Sequence, residues 1–355
     1  EVFFRYILMG ESYMDVNIPD LRTANALNFA KEMNNMQITE PCIFHADMDW
    51  VSPFGMLLTI ATIKQVREKY KNIQFYFDNN NKGNGASYAA QMGFFKAISK
   101  MIGIGKEPGE APGSGNYIPI TELDLRQIYE DENHDSNHYA MGDAIENESY
   151  KLAKILGRDN IEMDKLLAYL LREILRNIPE HAKCSKAWVC GQYWGNGKNE
   201  AEISIVDEGI GIKESLRNNL IHRKYIDSDE DAIKYSIKAG ISQTFNPDKA
   251  NSSDDTWSNS GFGLYMVTEI CKYLDGSFCL ASGNKYLLFN RDIKEYFGDT
   301  SFHGTAIKIR ISTLKINNSK ELIEKIAEQG EIQARSIRNA FKKASVPSKG
   351  LIDNM

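Results

Sequence analysis

Glu173 and Asn177 are the two residues of this chain whose types and spacing come nearest to a reaction. They stand four apart in the run EILRN, within a stretch (162–184) whose periodicity predicts a helix, so both project from one face. A carboxylate can take a proton from water. An amide oxygen one turn away suits Mg²⁺, which takes oxygen donors and keeps several waters. The pair fits phosphoanhydride hydrolysis. The plainer alternative is an exposed helix on which Glu173 pairs with Arg172 or Arg176 in solvent. His181 continues the stripe one turn on, where a lone histidine more often packs or caps.

Two further patches carry chemistry. A predicted strand (202–206) runs into Asp207, with Gly209, Gly211 and Ile212 following. A carboxylate at a strand end can accept from an exocyclic amine of a base, and glycines let backbone approach a ligand closely. The alternative is a plain Asp-Gly turn. The third patch, Ser260, Gly261, Phe262, Gly263 and Leu264, opens a predicted helix (263–274). Its first N–H groups favour phosphate, although Gly-x-Gly at a helix start is weak by itself.

In this order and spacing the patches resemble the nucleotide site of the GHKL, or Bergerat-fold, ATPases, the superfamily of gyrase, heat-shock chaperones, histidine kinases and mismatch-repair ATPases. The resemblance covers about 144–312 and implies ATP and Mg²⁺ as cofactors. It makes Asn177 the Mg²⁺ ligand, with His181 beside it, and Glu173 the general base. Asp207 becomes the adenine reader, with Gly209, Gly211 and Ile212 around the base. Ser260, Gly261, Phe262, Gly263 and Leu264 become the phosphate-contacting turn. Thr305, in the sequence His-Gly-Thr, would help hold adenine through water. Residues 212–260 would be a lid that orders over nucleotide.

The superfamily divides by chemistry. Its histidine kinases carry a phospho-accepting histidine on a dimerisation helix, followed by Glu and Pro. His134 and His138 read instead as members of a polar loop. The Glu-x-x-x-Asn form resembles both the hydrolysing gyrase and chaperone type and the anti-sigma-factor serine kinases, which also carry a histidine four residues after the Asn. Three functions follow: an ATPase that drives a conformational or partner switch, a serine/threonine kinase acting on a STAS-like partner, or a non-hydrolysing nucleotide-binding module. A protein partner is expected, and a homodimer is compatible with each.

The elements that position these residues form two groups. Residues 1–105 alternate a helix (24–33), a strand (42–47), a helix (53–69), a strand (73–77), a loop (79–85) and a helix (86–101), an α/β layer. Residues 44–58 resemble the strand–turn–helix of STAS-type antagonists, with Ser52 where a phosphorylated residue would stand. Ser-Pro is also an ordinary N-cap and N1 pair. Gly and Pro at 102–118 and polar residues at 131–138 predict a linker at 106–142. Residues 143–315 would form the ATP-binding domain, with helices at 144–156 and 162–184 and strands at 187–192, 202–206, 277–281 and 305–311. A C-terminal helix (319–343) and tail fill 316–355. The fold class is α/β (α+β): a STAS-like domain followed by a two-layer Bergerat sandwich with a mixed sheet.

A chain of 355 residues accommodates two domains, and a net charge of −6 gives no indication of nucleic-acid binding. Basic residues at 335–349 read as a solvated helix face. Five cysteines without a Cys-x-x-Cys pair read as reduced, in a cytoplasmic protein. No run is long and apolar enough to span a membrane, and no signal peptide is visible.

Overall fold

Short apolar runs bounded by turn residues form a parallel sheet in the computed structural model, which describes residues 12–78, 83–112, 115–132, 138–195, 197–247 and 260–345. Its strands β1 (Met14–Asn17), β2 (Cys42–His45) and β3 (Phe75–Phe77) lie in that order. Helices α1 (Thr23–Asn35) and α2 (Pro53–Lys69) make the crossovers. α2 starts where Ser52 and Pro53 predict: Ser52 Oγ accepts from Gly55 N at 3.2 Å, and Pro53 occupies the first turn. The helix expected over 86–101 is two, α3 (Asn84–Met92) and α4 (Phe94–Ile98), broken at Gly93 with φ +92°. Residues 79–82 of the expected loop lie outside the described residues.

The remaining chain builds a five-stranded sheet in the order β4 (Tyr117–Asp124), β5 (Lys186–Trp194), β6 (Glu200–Asp207), β8 (Tyr296–Ser312) and β7 (Ser277–Phe289). All four pairings are antiparallel, so the two strand orientations expected in one sheet are divided between two sheets. β4 falls in the stretch expected to be a linker. Pro119 obscured it, but β4 is an edge strand whose register shifts between Ile118 and Thr121, and edges and bulges tolerate proline. Then come α5 (Leu125–Glu132) and α6 (His138–Gly157), so His138 opens a helix and is not in a loop, while His134 lies outside the described residues. α7 (Ile161–Asn177) continues as a π-helical turn, Ile178–Ala182. Three short helices follow β6: α8 (Gly211–Arg217), α9 (Leu220–Arg223) and α10 (Asp229–Ser236). α11 (Gly263–Tyr273) precedes β7, and α12 (Ser319–Ser336) ends seven residues before the expected limit.

Alternation along the strands decides which layer each residue joins. Ala201, Ile203 and Ile205 of β6, with Ile307 and Ile309 of β8, face a core shared with α7 and α11. Trp188, Cys190, Val206, Cys279 and Ala306 point the other way, into a core shared with Phe54, Leu57 and Leu58 of α2. The sheet is therefore buried on both faces. Polar contacts fix the second interface: Phe54 N donates to Glu202 Oε1 (3.4 Å), Lys308 Nζ to Thr23 Oγ1 (2.9 Å) and Thr300 Oγ1 to Leu27 O (2.9 Å). All five cysteines are free thiols, four of them buried. Among the described residues no helix is long and apolar enough to cross a membrane.

Candidate functional site

α7 begins under Asn160, whose Oδ1 accepts from Glu162 N (3.1 Å) and Met163 N (3.2 Å). Its last turns are buried even where they are charged, at Arg172, Glu173 and Arg176. Arg172 Nη2 donates to Glu173 Oε1 at 3.1 Å, and its Nη1 lies 3.6 Å from Oε1 of Glu146, whose carboxyl pKa is pushed up by burial. The exposed-helix alternative is thereby removed. Asn177 Nδ2 donates to Glu173 O at 2.9 Å, which fixes the amide and makes Oδ1 its acceptor end. His181 sits in the π-helical turn, where burial lowers its pKa to about 4 and keeps the imidazole neutral at pH 7.

Asp207 ends β6 opposite Thr305 of β8. Gly209 N donates to its Oδ1 at 2.9 Å, and Thr305 adds side-chain and backbone donors. Burial outweighs these donors and raises its pKa from 3.8 to about 6. The neighbouring backbone is packed to contact. Gly304 has φ +118°, and a Cβ there would lie 2.1 Å from Asp207 O. Ser282 Oγ joins the two sides of this floor, accepting from Ile212 N (3.0 Å) and donating to Gly304 O (2.7 Å).

The stretch expected to be a lid carries α8–α10 and an irregular segment, 237–247, while 248–259 lie outside the described residues. The segment is pinned from within. Asn219 Nδ2 donates to Gln243 O (2.8 Å) and Phe245 O (2.9 Å), and His222 Nε2 to Ser242 O (2.9 Å). Ser215 Oγ donates to Gln243 Oε1 (2.8 Å), and Gln243 Nε2 to Glu180 O (3.1 Å). Gly261, with φ +71°, lies so close that a Cβ would be 2.4 Å from the Ile241 backbone.

These elements border one cavity. Asn177, His181, Asp207, Gly211, Ile212, Gly261, Gly263, Leu264 and Thr305 line it. Four other expected residues stand behind the wall. Glu173 backs onto Gly263, where a Cβ would be 3.0 Å from Glu173 Oε2. Gly209 packs against Ala182, Ser260 Oγ accepts from Ser345 N (2.9 Å), and Phe262 is core. Sequence reasoning missed Ser282 and the lining residues Ile241, Ser242 and Gln243. Only the glycine beside Ile241 signalled a close backbone approach.

Residues 163–315 match the model of the family described as Histidine kinase-, DNA gyrase B-, and HSP90-like ATPase. This part of the chain is a GHKL ATPase domain. The match takes in α7 from Met163 onward, Asp207, the Gly261 turn and Thr305, so all three patches belong to the GHKL domain. No curated protein matches the chain. The residues present fit ATP and Mg²⁺. A buried carboxylate lies at the floor, glycine backbone without side chains opens α11, and an oriented amide oxygen stands on α7. Ser52, by contrast, is buried outside the GHKL domain, with Oγ donating to Leu21 O at 2.8 Å.

Proposed function

We propose that the GHKL domain binds ATP with Mg²⁺ and hydrolyses its terminal phosphoanhydride, and that the cycle drives a conformational or partner switch. One observation carries this reading: Asp207, Asn177 and the Gly261–Gly263 turn converge on one cavity, with Glu173 against that turn. Asp207 accepts from the exocyclic amine of adenine, Gly211 and Ile212 border the base, and Thr305 steadies the carboxylate. The first N–H groups of α11 hold phosphate oxygens. Asn177 Oδ1 is the metal ligand, and bound Mg²⁺ neutralises charge on the phosphates. Glu173, oriented by Arg172, takes a proton from water as the water oxygen bonds to the terminal phosphorus and the bond to the ADP oxygen breaks, leaving ADP and phosphate.

The second reading is phosphoryl transfer to a serine or threonine of a STAS-like partner, favoured by His181 four residues after Asn177. The burial of Ser52 opposes self-transfer. We place the functional units at 1–105, 143–315 and 316–355, with 106–142 contributing β4 to the sheet of the second, in a cytoplasmic protein, with the first unit STAS-like and facing the partner. Steady-state phosphate release with MgATP, for the parent chain, Asp207→Asn and Glu173→Gln, tests the primary reading. Turnover lost in both variants supports it. MgATP binding that depends on Asp207 without turnover transfers the case to the kinase, and no MgATP binding ends both.

A further inference from the structure

The cavity wall at 240–243 is irregular backbone held from both sides. On the inside are Ser215, Asn219 and His222. On the outside lies the segment after α12. Phe341 N donates to Gly240 O at 2.8 Å, and a Cβ on Gly240 would lie 2.1 Å from Phe341 O, so the two backbones touch. Gly240 N in turn donates to Gly261 O at 3.1 Å. A line of hydrogen bonds thus runs from Phe341 through Gly240 to the phosphate turn. The Phe341 ring meets Phe245 edge-on, with centroids 5.3 Å apart. Four residues later Ser345 N donates to Ser260 Oγ at 2.9 Å, next to the same turn.

This segment is itself anchored. Lys342 Nζ donates to Ala334 O (2.7 Å) and Ile337 O (2.5 Å) at the end of α12, and Ala344 N donates to Glu331 Oε1 (3.0 Å). At its other end α12 is tied to α7, where Ser319 N and Oγ both donate to Glu162 Oε2 at 2.7 Å. The helix bearing Glu173 and Asn177 is thereby linked through α12 to the opposite wall of the cavity.

We propose that the segment after α12 positions the nucleotide site, with Phe341 and Ser345 as positioning residues that hold residues 240–243 and the Gly261 turn in the geometry that receives phosphate. The inference rests on the nucleotide reading above for its ligand, while the placement of the wall is independent of it. An irregular wall released on one side samples other conformations. When only a tenth of molecules hold the competent one, apparent affinity falls about tenfold.

The test uses the full chain with Phe341→Ala, Phe341→Leu and Ser345→Pro, the last removing one N–H donor. Amide exchange without nucleotide is followed by mass spectrometry in peptides covering 239–245, and MgATP affinity by calorimetry. Faster exchange there, by about tenfold or more in Phe341→Ala, with α7 and β6 unchanged and MgATP affinity about tenfold weaker, is the expected result. Unchanged exchange at 239–245 in a folded variant overturns the proposal, as does unchanged MgATP affinity despite faster exchange. A parent chain that binds no MgATP refutes the nucleotide reading, and exchange still decides whether the segment holds the wall. If Phe341→Ala does not fold, Phe341→Leu and Ser345→Pro carry the same two readouts.

Discussion

Glu173 stands against Gly263, where an added Cβ would lie 3.0 Å from its Oε2, so the carboxylate borders the Gly261–Gly263 turn. Glu173→Gln keeps the side-chain shape and an acceptor for Arg172, so the helix end should stay intact. Phosphate release should fall by about 10²–10⁴, the usual worth of a general base. MgATP affinity should stay within about threefold, because Gln preserves the packing against Gly263 and changes only the proton acceptor. Single-turnover phosphate release measures the first quantity and calorimetry the second. Parent-like turnover would remove Glu173 from the chemistry.

Asp207 gives two pH dependences of opposite use. Its pKa in the fold, about 6, lies above its ordinary 3.8, so the native state binds the proton more tightly than the unfolded chain does. That contribution to stability is fully present below 3.8 and is lost as pH rises through about 6. The loss is about 3 kcal/mol at most. Asp207→Asn should therefore melt higher than the parent at pH 7–8 without nucleotide, and the difference should shrink toward pH 4. The same substitution should abolish MgATP binding. Parent affinity should weaken as pH falls below about 6, when the acceptor becomes protonated. Melting curves and calorimetry across pH 4–8 check both signs.

Ser282→Ala leaves Ile212 N and Gly304 O without their shared partner in a buried place. Each unmet group costs about 1–3 kcal/mol, so the melting temperature should drop by several degrees. MgATP affinity should fall about tenfold as the Gly211 turn and the Gly304 strand separate, whereas Ser282→Thr should retain part of it. Affinity equal to the parent in Ser282→Ala would show that the two sides hold together without the hydroxyl.

A fragment starting at residue 106 would uncover Trp188, Cys190, Val206, Cys279 and Ala306 on one sheet face. It would also remove the contacts that Glu202 and Lys308 make with α2 and α1. Large contiguous apolar patches of this kind drive association. The fragment should aggregate on expression, while the full chain stays dispersed; light scattering of the two distinguishes the outcomes. A monodisperse, ATP-binding fragment would mean that the N-terminal layer is dispensable to the sheet.

Much of this site was legible because its parts are local. A helix face records Glu173 and Asn177 at one-turn spacing, Ser52-Pro53 marks the start of α2, and a strand ending in Asp207 is marked by the glycines after it. What escaped the sequence depends on segments far apart in the chain. Ser282 meets Gly304 twenty-two positions later, and Gln243 reaches back to Glu180. Neither contact leaves a periodic trace. The ends of β7 and β8 beyond 281 and before 305 carry Asn284, Lys285 and Asp299, which read as loop although a long hairpin accommodates them. β4 was hidden by a proline that only its edge position excuses.

Glu202, five residues ahead of Asp207 on β6, accepts from Phe54 N in the first turn of α2 on the far face of the sheet. One strand thus carries the proposed adenine contact at its end and a helix anchor at its middle. Thermodynamic linkage then makes the two faces reciprocal. Whatever binds the N-terminal layer and shifts α2 against β6 becomes an effector of the nucleotide, and the nucleotide must alter the affinity of that ligand by the same factor. A titration of either one would report on the other.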